Sequence, residues 1–178
     1  MIDVLRQCTH LRKVSLTGAS LRAVDLENLL PYGHLFHELH FYIKVQTTAY
    51  VQVISNLLIT CSNLRRISYL GSGIEEDALF VAGICQACPF LEKLYLESFS
   101  FSKQEQIAIS TLPRISHACK YLHSLSLVRT DLSRSILQSI VGMKALKTLV
   151  VVSCEGLTRT DMDVLTPMRL ECIATSIY

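Results

Sequence analysis

The sequence lacks any apolar run that could cross a membrane. No stretch of about 18 residues, the length that a membrane-spanning helix needs, is both apolar and uncharged. The first ten residues, MIDVLRQCTH, hold an acid at position 3 and no apolar core segment, so they do not have the pattern of a signal peptide. The sequence therefore predicts no membrane partner.

Concentrated charge is missing as well. The formal net charge is +2, and the sequence has neither a block of like charges nor an arginine-rich segment. A protein that binds a phosphate backbone normally carries a basic stripe. We therefore expect no nucleic-acid partner from this composition.

Markers of a secreted protein are also absent. No Asn-x-Ser/Thr glycosylation site occurs, and the seven cysteines are an odd number, which does not suit a closed disulfide framework. Free thiols in a reducing compartment are the simpler interpretation. We expect a cytoplasmic or nuclear protein.

What the sequence does contain is a repeat. Four segments place a cysteine three residues before an apolar residue and continue with apolar residues at L-x-x-L-x-L spacing: CTHLRKVSL, CSNLRRISY, CPFLEKLYL and CKYLHSLSL. Copies of this pattern recur at intervals of 24 to 31 residues. Their first apolar positions, taken as anchors, are Leu11, Phe36, Leu64, Leu91, Leu122, Leu146 and Leu170.

The residues three and five positions after each anchor are apolar, with Thr175 as the one clearly polar exception. On an extended strand these two positions point to the same side. A single short strand cannot bury that side alone, but copies stacked into a parallel sheet cover one another. Segments 47–61 and 73–88, TTAYVQVISNLLITC and GIEEDALFVAGICQAC, place apolar residues at helical spacing between strands. The predicted fold class is α/β, with a buried cysteine ending each helical stripe.

These copies resemble leucine-rich repeats, and in particular the cysteine-containing subtype found in F-box/LRR proteins. The likeness is clearest in LKTLVVVSCEGLTRTDMDVL, residues 146–165, where Cys154 lies at the turn after the strand and a Leu-Thr-x-x-Asp helix entry follows. The resemblance implies a leucine-rich-repeat solenoid of about seven repeats, with a curved parallel sheet on the concave side and helices on the convex side. Residues 1–178 would form a single domain. Neither end looks like a polar capping repeat, so we expect a fragment of a longer solenoid, with a partner that covers the ends as the alternative.

The longest interval between anchors contains Pro113. A proline inside a helix removes a hydrogen bond and clashes with the preceding turn. We expect a kinked or broken helix at this point.

The concave face is the one functional surface that the repeat locates. Tyrosine and arginine are over-represented among binding hot spots, so we expect a protein contact around Tyr42, Arg66 and Tyr95. An ordinary solvated surface is the alternative interpretation. The predicted partner-binding residues are Lys13, Glu38, His40, Tyr42, Arg66, Ser68, Lys93, Tyr95 and Glu97. The other outward positions are Ser15, Thr17, Leu70, Ser124, Ser126, Val128, Thr148, Val150, Val152, Cys172, Ala174 and Ser176, and we expect charge only in the first four rows.

Two cysteines form a C-x-x-C pair that zinc or redox chemistry could use. They are Cys85 and Cys88, and the sequence offers no second pair to complete a zinc site. Both also fall on the predicted buried stripe of the helix over 73–88. We therefore expect them to pack in the core, and a thiol- or metal-dependent activity at this pair is a remote alternative.

Other chemical motifs are scarce. His34, His37 and His40 are spaced by three, but two of them face opposite sides of a strand, and Pro31 and Gly33 disfavour a helix there. No phosphate-loop or nucleophile-elbow motif occurs, and nothing in the sequence pairs a nucleophile with a base. We predict a protein that is not an enzyme and that has no metal and no cofactor.

The leading hypothesis is a recognition module that binds a protein partner on its concave face. The resemblance to F-box/LRR proteins implies a substrate receptor of an SCF-type E3 ubiquitin ligase, attached to the ligase scaffold through an F-box that is not among these 178 residues. The alternative is a leucine-rich-repeat scaffold or signalling adaptor unrelated to ubiquitin. Unchanged partner lifetimes after depletion of the protein would favour that alternative.

Overall fold

The computed structural model describes residues 7–8, 10–17, 22–42, 48–71, 83–84, 87–99, 112, 114–115, 117–163 and 171–175. Seven strands of five residues each lie in these ranges: β1 (Lys13–Thr17), β2 (Glu38–Tyr42), β3 (Arg66–Leu70), β4 (Lys93–Glu97), β5 (Ser124–Val128), β6 (Thr148–Val152) and β7 (Glu171–Thr175). They form one parallel sheet in chain order. The predicted α/β class with a parallel sheet is confirmed.

One face of the sheet is a continuous row of buried apolar side chains, which we call the apolar ladder. In β2 to β6 its members are the residues three and five positions after each anchor, and each is at most 1% exposed. Burying one large apolar side chain stabilises a fold by about 1.5–3 kcal/mol. Even the ring of Tyr69 is fully buried and meets that of Phe99 edge-on, with centroids 6.2 Å apart. The members are Leu39, Phe41, Ile67, Tyr69, Leu94, Leu96, Leu125, Leu127, Leu149 and Val151.

The seventh strand is displaced by one residue from its predicted register. The repeat spacing puts Ile173 opposite Leu149, but Leu149 pairs with Cys172, and Val151 pairs with Ala174. The prediction of Cys172 and Ala174 on the outward face is therefore wrong, and Ser176 lies outside the described residues. The sequence ECIAT has apolar residues in both sets of alternate positions, so either set could face the core. Its pattern therefore cannot fix the register. The positions aligned with the outward residues of β6 are Glu171, Ile173 and Thr175.

Helices cover the apolar ladder. The described ranges contain α1 (Ala23–Glu27), α2 (Thr48–Thr60), α3 (Arg134–Val141), α4 (Arg159–Met162) and a 3-10 helix (Leu30–Leu35). Side chains from α2 and α3 are fully buried in the same hydrophobic core as the ladder. Among the helices of the described ranges, none is both long and apolar enough to span a membrane. The buried helical residues are Ile54, Leu57, Leu58, Ile136, Leu137 and Ile140.

Polar side chains mark where two of these helices begin. The Ser133 hydroxyl accepts a hydrogen bond from the Ile136 amide at 3.3 Å, at the start of α3. At the start of α4, the Thr158 amide donates to the Asp161 carboxylate at 2.9 Å in a capping box. The helix entry expected after Cys154 is thus confirmed. Most of the predicted helix over 73–88, and Pro113 with its expected kink, lie outside the described residues.

The 3-10 helix corrects one expectation. Pro31 and Gly33 were expected to disfavour a helix around His34, yet all three lie within Leu30–Leu35. Pro31 is in the first turn, where its missing N–H has no helical partner in any case. Gly33 is buried against α2, so the 3-10 turn depends on a residue without a side chain at this position.

The packing of Gly33 against α2 generates a stability prediction. A Cβ at Gly33 would lie 1.9 Å from Thr60 Oγ1 and 2.9 Å from the Thr60 backbone carbon, so rotating a side chain cannot relieve the clash. We expect Gly33→Ala to lower the free energy of unfolding by about 1–3 kcal/mol in urea denaturation.

Gly142→Ala is the matched control. Gly142 is exposed, has φ of −67°, and would place its Cβ no closer than 3.3 Å to a neighbouring atom. We expect that variant to be neutral or to gain up to about 1 kcal/mol. Equal stability of the two variants would contradict the close packing of the 3-10 helix on α2.

Cysteines fill the core at the ends of the helical segments. Cys61, Cys88 and Cys119 are at most 1% exposed, and the Cys119 thiol donates to the Cys88 carbonyl at 3.1 Å. Cys154 is also buried, whereas Cys8 is half-buried. Burial raises the pKa of the Cys61 thiol to about 12. The expected packing role is confirmed for Cys88, but Cys85 lies outside the described residues.

This burial predicts a pattern of thiol reactivity. The thiolate is the nucleophile, so a buried thiol with a raised pKa reacts slowly. We expect iodoacetamide to modify Cys8 under native conditions while Cys61, Cys88 and Cys119 react only in denaturant, as read by peptide mass mapping. Native labelling of Cys88 at the rate of Cys8 would instead favour the thiol-dependent alternative, and the same map reports on Cys85.

Candidate functional site

The second face of the sheet carries the alternate residues of every strand, and we call its β1–β6 part the open face. Each of its side chains is half-buried or exposed, in contrast to the apolar ladder behind it. The outward positions predicted for these six strands are therefore confirmed. The open face consists of Lys13, Ser15, Thr17, Glu38, His40, Tyr42, Arg66, Ser68, Leu70, Lys93, Tyr95, Glu97, Ser124, Ser126, Val128, Thr148, Val150 and Val152.

Glu38 lies at the centre of an ion-pair network on the open face. The register sets it between Lys13 and Arg66 on the two neighbouring strands. Arg66 Nη1 donates to Glu38 Oε1 at 2.7 Å, and Lys13 Nζ lies 3.6 Å from Oε2. Burial alone would raise the pKa of Glu38, but Arg66 and Lys13 outweigh it and hold the pKa below its usual value of 4.5. Glu38 is therefore ionised at neutral pH.

His40 joins this network through both ring nitrogens. Its Nδ1 lies 2.9 Å from Ser68 Oγ on the next strand, within hydrogen-bonding distance. Its Nε2 is buried without a hydrogen bond to any described residue and lies 3.6 Å from Glu38 Oε2. The ring also stacks on Tyr42 with an interplanar angle of 3°. Burial and the charge of Lys13 lower the pKa of His40 below its usual value of 6.5, although Glu38 opposes them.

The structure thus brings Ser68, His40 and Glu38 together, which the sequence pattern did not indicate. A histidine that contacts a serine on one side and a carboxylate on the other is the arrangement of a hydrolytic triad. However, β3 is paired on both sides, with β2 and β4. The backbone N–H groups around Ser68 are therefore used in the sheet and cannot act as oxyanion donors, which acyl transfer requires. This geometry fixes the ring of His40 and does not favour catalysis.

A second cluster lies on β4. The Tyr95 hydroxyl donates to Glu97 Oε2 at 2.8 Å, and Arg129 pairs with the other oxygen of the same carboxylate. Burial, and then the proximity of Tyr42, raises the pKa of Tyr95. Tyr95 therefore remains a neutral donor, and the Glu97 carboxylate is fixed from two sides.

All nine predicted site residues lie on the open face, but they do not form one network. Six form the Glu38 cluster, and Tyr95 and Glu97 form the second. Lys93 makes no ion pair with any described residue. The six are Lys13, Glu38, His40, Tyr42, Arg66 and Ser68.

Arg129 is the site residue that the sequence did not indicate. It follows β5 with a φ of 48°, as Ser98 and Ser153 follow β4 and β6 with φ of 53° and 51°. A left-handed residue therefore follows each of three successive strands. The sequence does place a polar residue directly after each of these strands. That position lies outside the repeat pattern from which the site was predicted.

Comparison with known proteins gives no family for the chain. No protein-family model matches the sequence, and no curated protein matches it at a significant level. The functional argument therefore depends on the geometry of the open face. In the described part of the chain, no group of three side chains is placed to hold a metal ion.

The Glu38–His40 pair predicts a distinctive titration. In the wild-type protein we expect the His40 ring protons in NMR spectra to titrate below pH 6.5, the usual value. In Glu38→Gln, the midpoint should fall further, because the carboxylate that raises the pKa is gone while Lys13 and Arg66 remain. Since the folded-state pKa is below the unfolded one, the stability from neutral His40 is present above pH 6.5 and is lost as pH falls through the folded pKa.

Arg134→Gln serves as the control for this titration, because Arg134 lies on α3 and its side chain is 62% exposed. Its substitution should leave the His40 midpoint unchanged. A midpoint that rises in Glu38→Gln would contradict the electrostatic account.

Proposed function

We propose that the protein is a leucine-rich-repeat module that binds a protein partner on the open face. The observation that carries the proposal is the Glu38 cluster, in which Lys13, Arg66 and His40 surround one ionised carboxylate. These side chains are half-buried or exposed, and they are held in place by each other. A partner that docks on side chains already fixed in one conformation loses less conformational entropy on binding.

The repeat architecture supports the same proposal. Seven parallel strands in chain order, with the same inward spacing in β1 to β6, are what a leucine-rich-repeat solenoid produces. In such a solenoid the open face would be the concave surface. A regular row of short strands offers a partner a broad surface rather than a deep pocket, which suits protein recognition better than small-molecule binding.

Aromatic and arginine side chains give this surface its anchors. Tyr42 is 40% exposed, and its ring stacks parallel to the ring of His40. Arg66 on the next strand is about half exposed and keeps further donor groups beyond its bond to Glu38. Tyrosine and arginine are the residue types that most often dominate binding energy at protein interfaces. We place the centre of the interface at Tyr42 and Arg66, with Tyr95 beside them.

The link to ubiquitin is a separate proposal that depends on the F-box/LRR resemblance alone. In this proposal the module presents its bound partner to an SCF-type ligase. Its test is whether the full-length gene product associates with a Skp–cullin scaffold and whether its depletion lengthens the lifetime of the partner. If a partner is bound but its lifetime does not change, the result would support the binding module and contradict the ligase function.

The binding proposal predicts position-specific cross-linking in cells. A photo-reactive phenylalanine analogue at Tyr42 should capture a discrete partner, and the added substitution Arg66→Ala should lower the yield several-fold. The loss of one hot-spot contact typically weakens binding about tenfold or more. The measurement is cross-linked product identified by mass spectrometry.

The matched control for this experiment places the same analogue at Ile59. That residue is 61% exposed on α2, which covers the opposite face of the sheet. An equal cross-linking yield from both positions would contradict a binding role for the open face. A yield at position 42 that Arg66→Ala does not lower would contradict it as well.

A further inference from the structure

The turns that lead into the strands hold eight of the 17 lysines and arginines of the protein. These turns and first strand positions, residues 10–13, 34–38, 62–66, 89–93, 120–124 and 144–148, lie along one edge of the sheet, which we call the basic edge. They contain eight lysines and arginines and only two carboxylates, Glu38 and Glu92. The edge therefore has an excess of six positive charges, while the whole chain has +2. The eight are Arg12, Lys13, Arg65, Arg66, Lys93, Lys120, Lys144 and Lys147.

The sheet itself holds these turns side by side. The amide of Arg65 donates to the His37 carbonyl at 2.8 Å, and that of Glu92 to the Arg65 carbonyl at 2.8 Å. The series continues with His123 and Lys147, whose amides donate to the preceding turn at 3.0 and 2.9 Å. Neighbouring strands are about 4.8 Å apart. The charges consequently form a row across the sheet although they are about 27 residues apart in sequence.

Two exposed aromatic rings lie in the middle of this row. Phe90 and Tyr121, in the turns before β4 and β5, are 48% and 59% exposed. Their rings stack with centroids 6.0 Å apart and an interplanar angle of 26°. Large aromatic side chains are costly to leave in water, and on a surface they are typical of binding sites.

A small cavity adjoins the stacked rings. It has a volume of about 140 Å³ and is lined by His37, Asn63, Arg65 and Phe90. The volume suits one side chain rather than a whole small-molecule ligand. Asn63 is held by a hydrogen bond to the His34 carbonyl at 2.8 Å. Arginine and amide groups on the wall favour a carboxylate, and the Phe90 ring favours an apolar neighbour.

The two carboxylates of the basic edge decide what kind of anion fits. Arg65 lies 2.5 Å from Glu92, and Arg66 lies 2.7 Å from Glu38. A polyphosphate strand running along the row would pass both carboxylates and lose favourable contacts there. A peptide can place neutral residues opposite them and carboxylates opposite the lysines. In the described residues Lys93, Lys120, Lys144 and Lys147 have no acidic partner.

We propose that the basic edge binds an acidic peptide segment of a partner protein that carries one aromatic residue. The aromatic side chain packs on Phe90 and Tyr121, and neighbouring Asp and Glu side chains pair with Lys120, Lys144 and Lys147. The aromatic centre of this surface, Phe90 and Tyr121, is distinct from the centre proposed on the open face, although both surfaces include Lys13, Glu38, Arg66 and Lys93. It therefore assigns the protein a second contact, whose partner is defined by negative charge and one apolar anchor.

The test uses fluorescence anisotropy at low salt, with a labelled peptide of alternating Asp and Glu around one central Phe. We expect Phe90→Ala to weaken binding about tenfold, as for an aromatic hot spot. Lys147→Gln should weaken it about threefold, as for one exposed charge pair. Both side chains are exposed, and circular dichroism verifies that the variants fold. Added salt should weaken binding.

Matched controls separate this surface from the others. Arg134→Gln removes one positive charge away from the basic edge and should leave the affinity unchanged. Tyr42→Ala alters the open face and should also leave it unchanged, so the two proposals can fail independently. The same peptide with Ala in place of Phe should bind about tenfold more weakly, as expected for loss of the anchor.

Three outcomes would overturn the proposal. One is no measurable binding of the acidic peptide. Another is an affinity that is unchanged both by Phe90→Ala and by the loss of the peptide's Phe, which would mean that charge attraction alone drives binding. The third is tighter binding of a thymidine oligonucleotide of equal charge, which would make the basic edge a nucleic-acid surface.

Discussion

The structure depends on a single constraint, which is that every five-residue strand must bury the same alternate positions as its neighbours. A strand of this length has only two or three inward side chains, too few for a core of its own. Stacked in register, Leu94 covers Ile67 on one side and Leu125 on the other. A slip of one residue would exchange the two faces and expose the ladder. In β2 to β6 the register is therefore enforced by the burial of the inward apolar side chains, and the helices close the other side of that ladder.

The polar chemistry of the open face follows from the same constraint. Since paired strands are about 4.8 Å apart, residues at the same register position on one face are in contact. Glu38 therefore meets Lys13 and Arg66 without any special loop, and His40 meets Ser68. The sheet supplies the geometry and the residue types supply the interaction. This explains how a serine, a histidine and an acid come together in a place that lacks the backbone donors of a hydrolase.

The sequence was informative where one phase of a strand is apolar and the other polar, as in KLYLE and SLSLV, and there the two faces could be predicted. It was not informative for β7, where Cys172 and Ile173 are both apolar and either phase is possible. Arg129 could not be predicted because it acts from a turn. The basic edge could not be predicted because each turn contributes only one or two charges, and near-neutral net charge conceals them. Contacts between turns arise only when the repeats stack.

Cysteine labelling along β5 tests the central claim most directly. Ser124, Leu125, Ser126 and Leu127 are each replaced by cysteine, and the native modification rate of the new thiol is measured by mass spectrometry. The account predicts alternation, with fast labelling at the two serine positions and protection at the two leucine positions until denaturant is added. Similar rates at all four positions, or protection in the opposite phase, would contradict it.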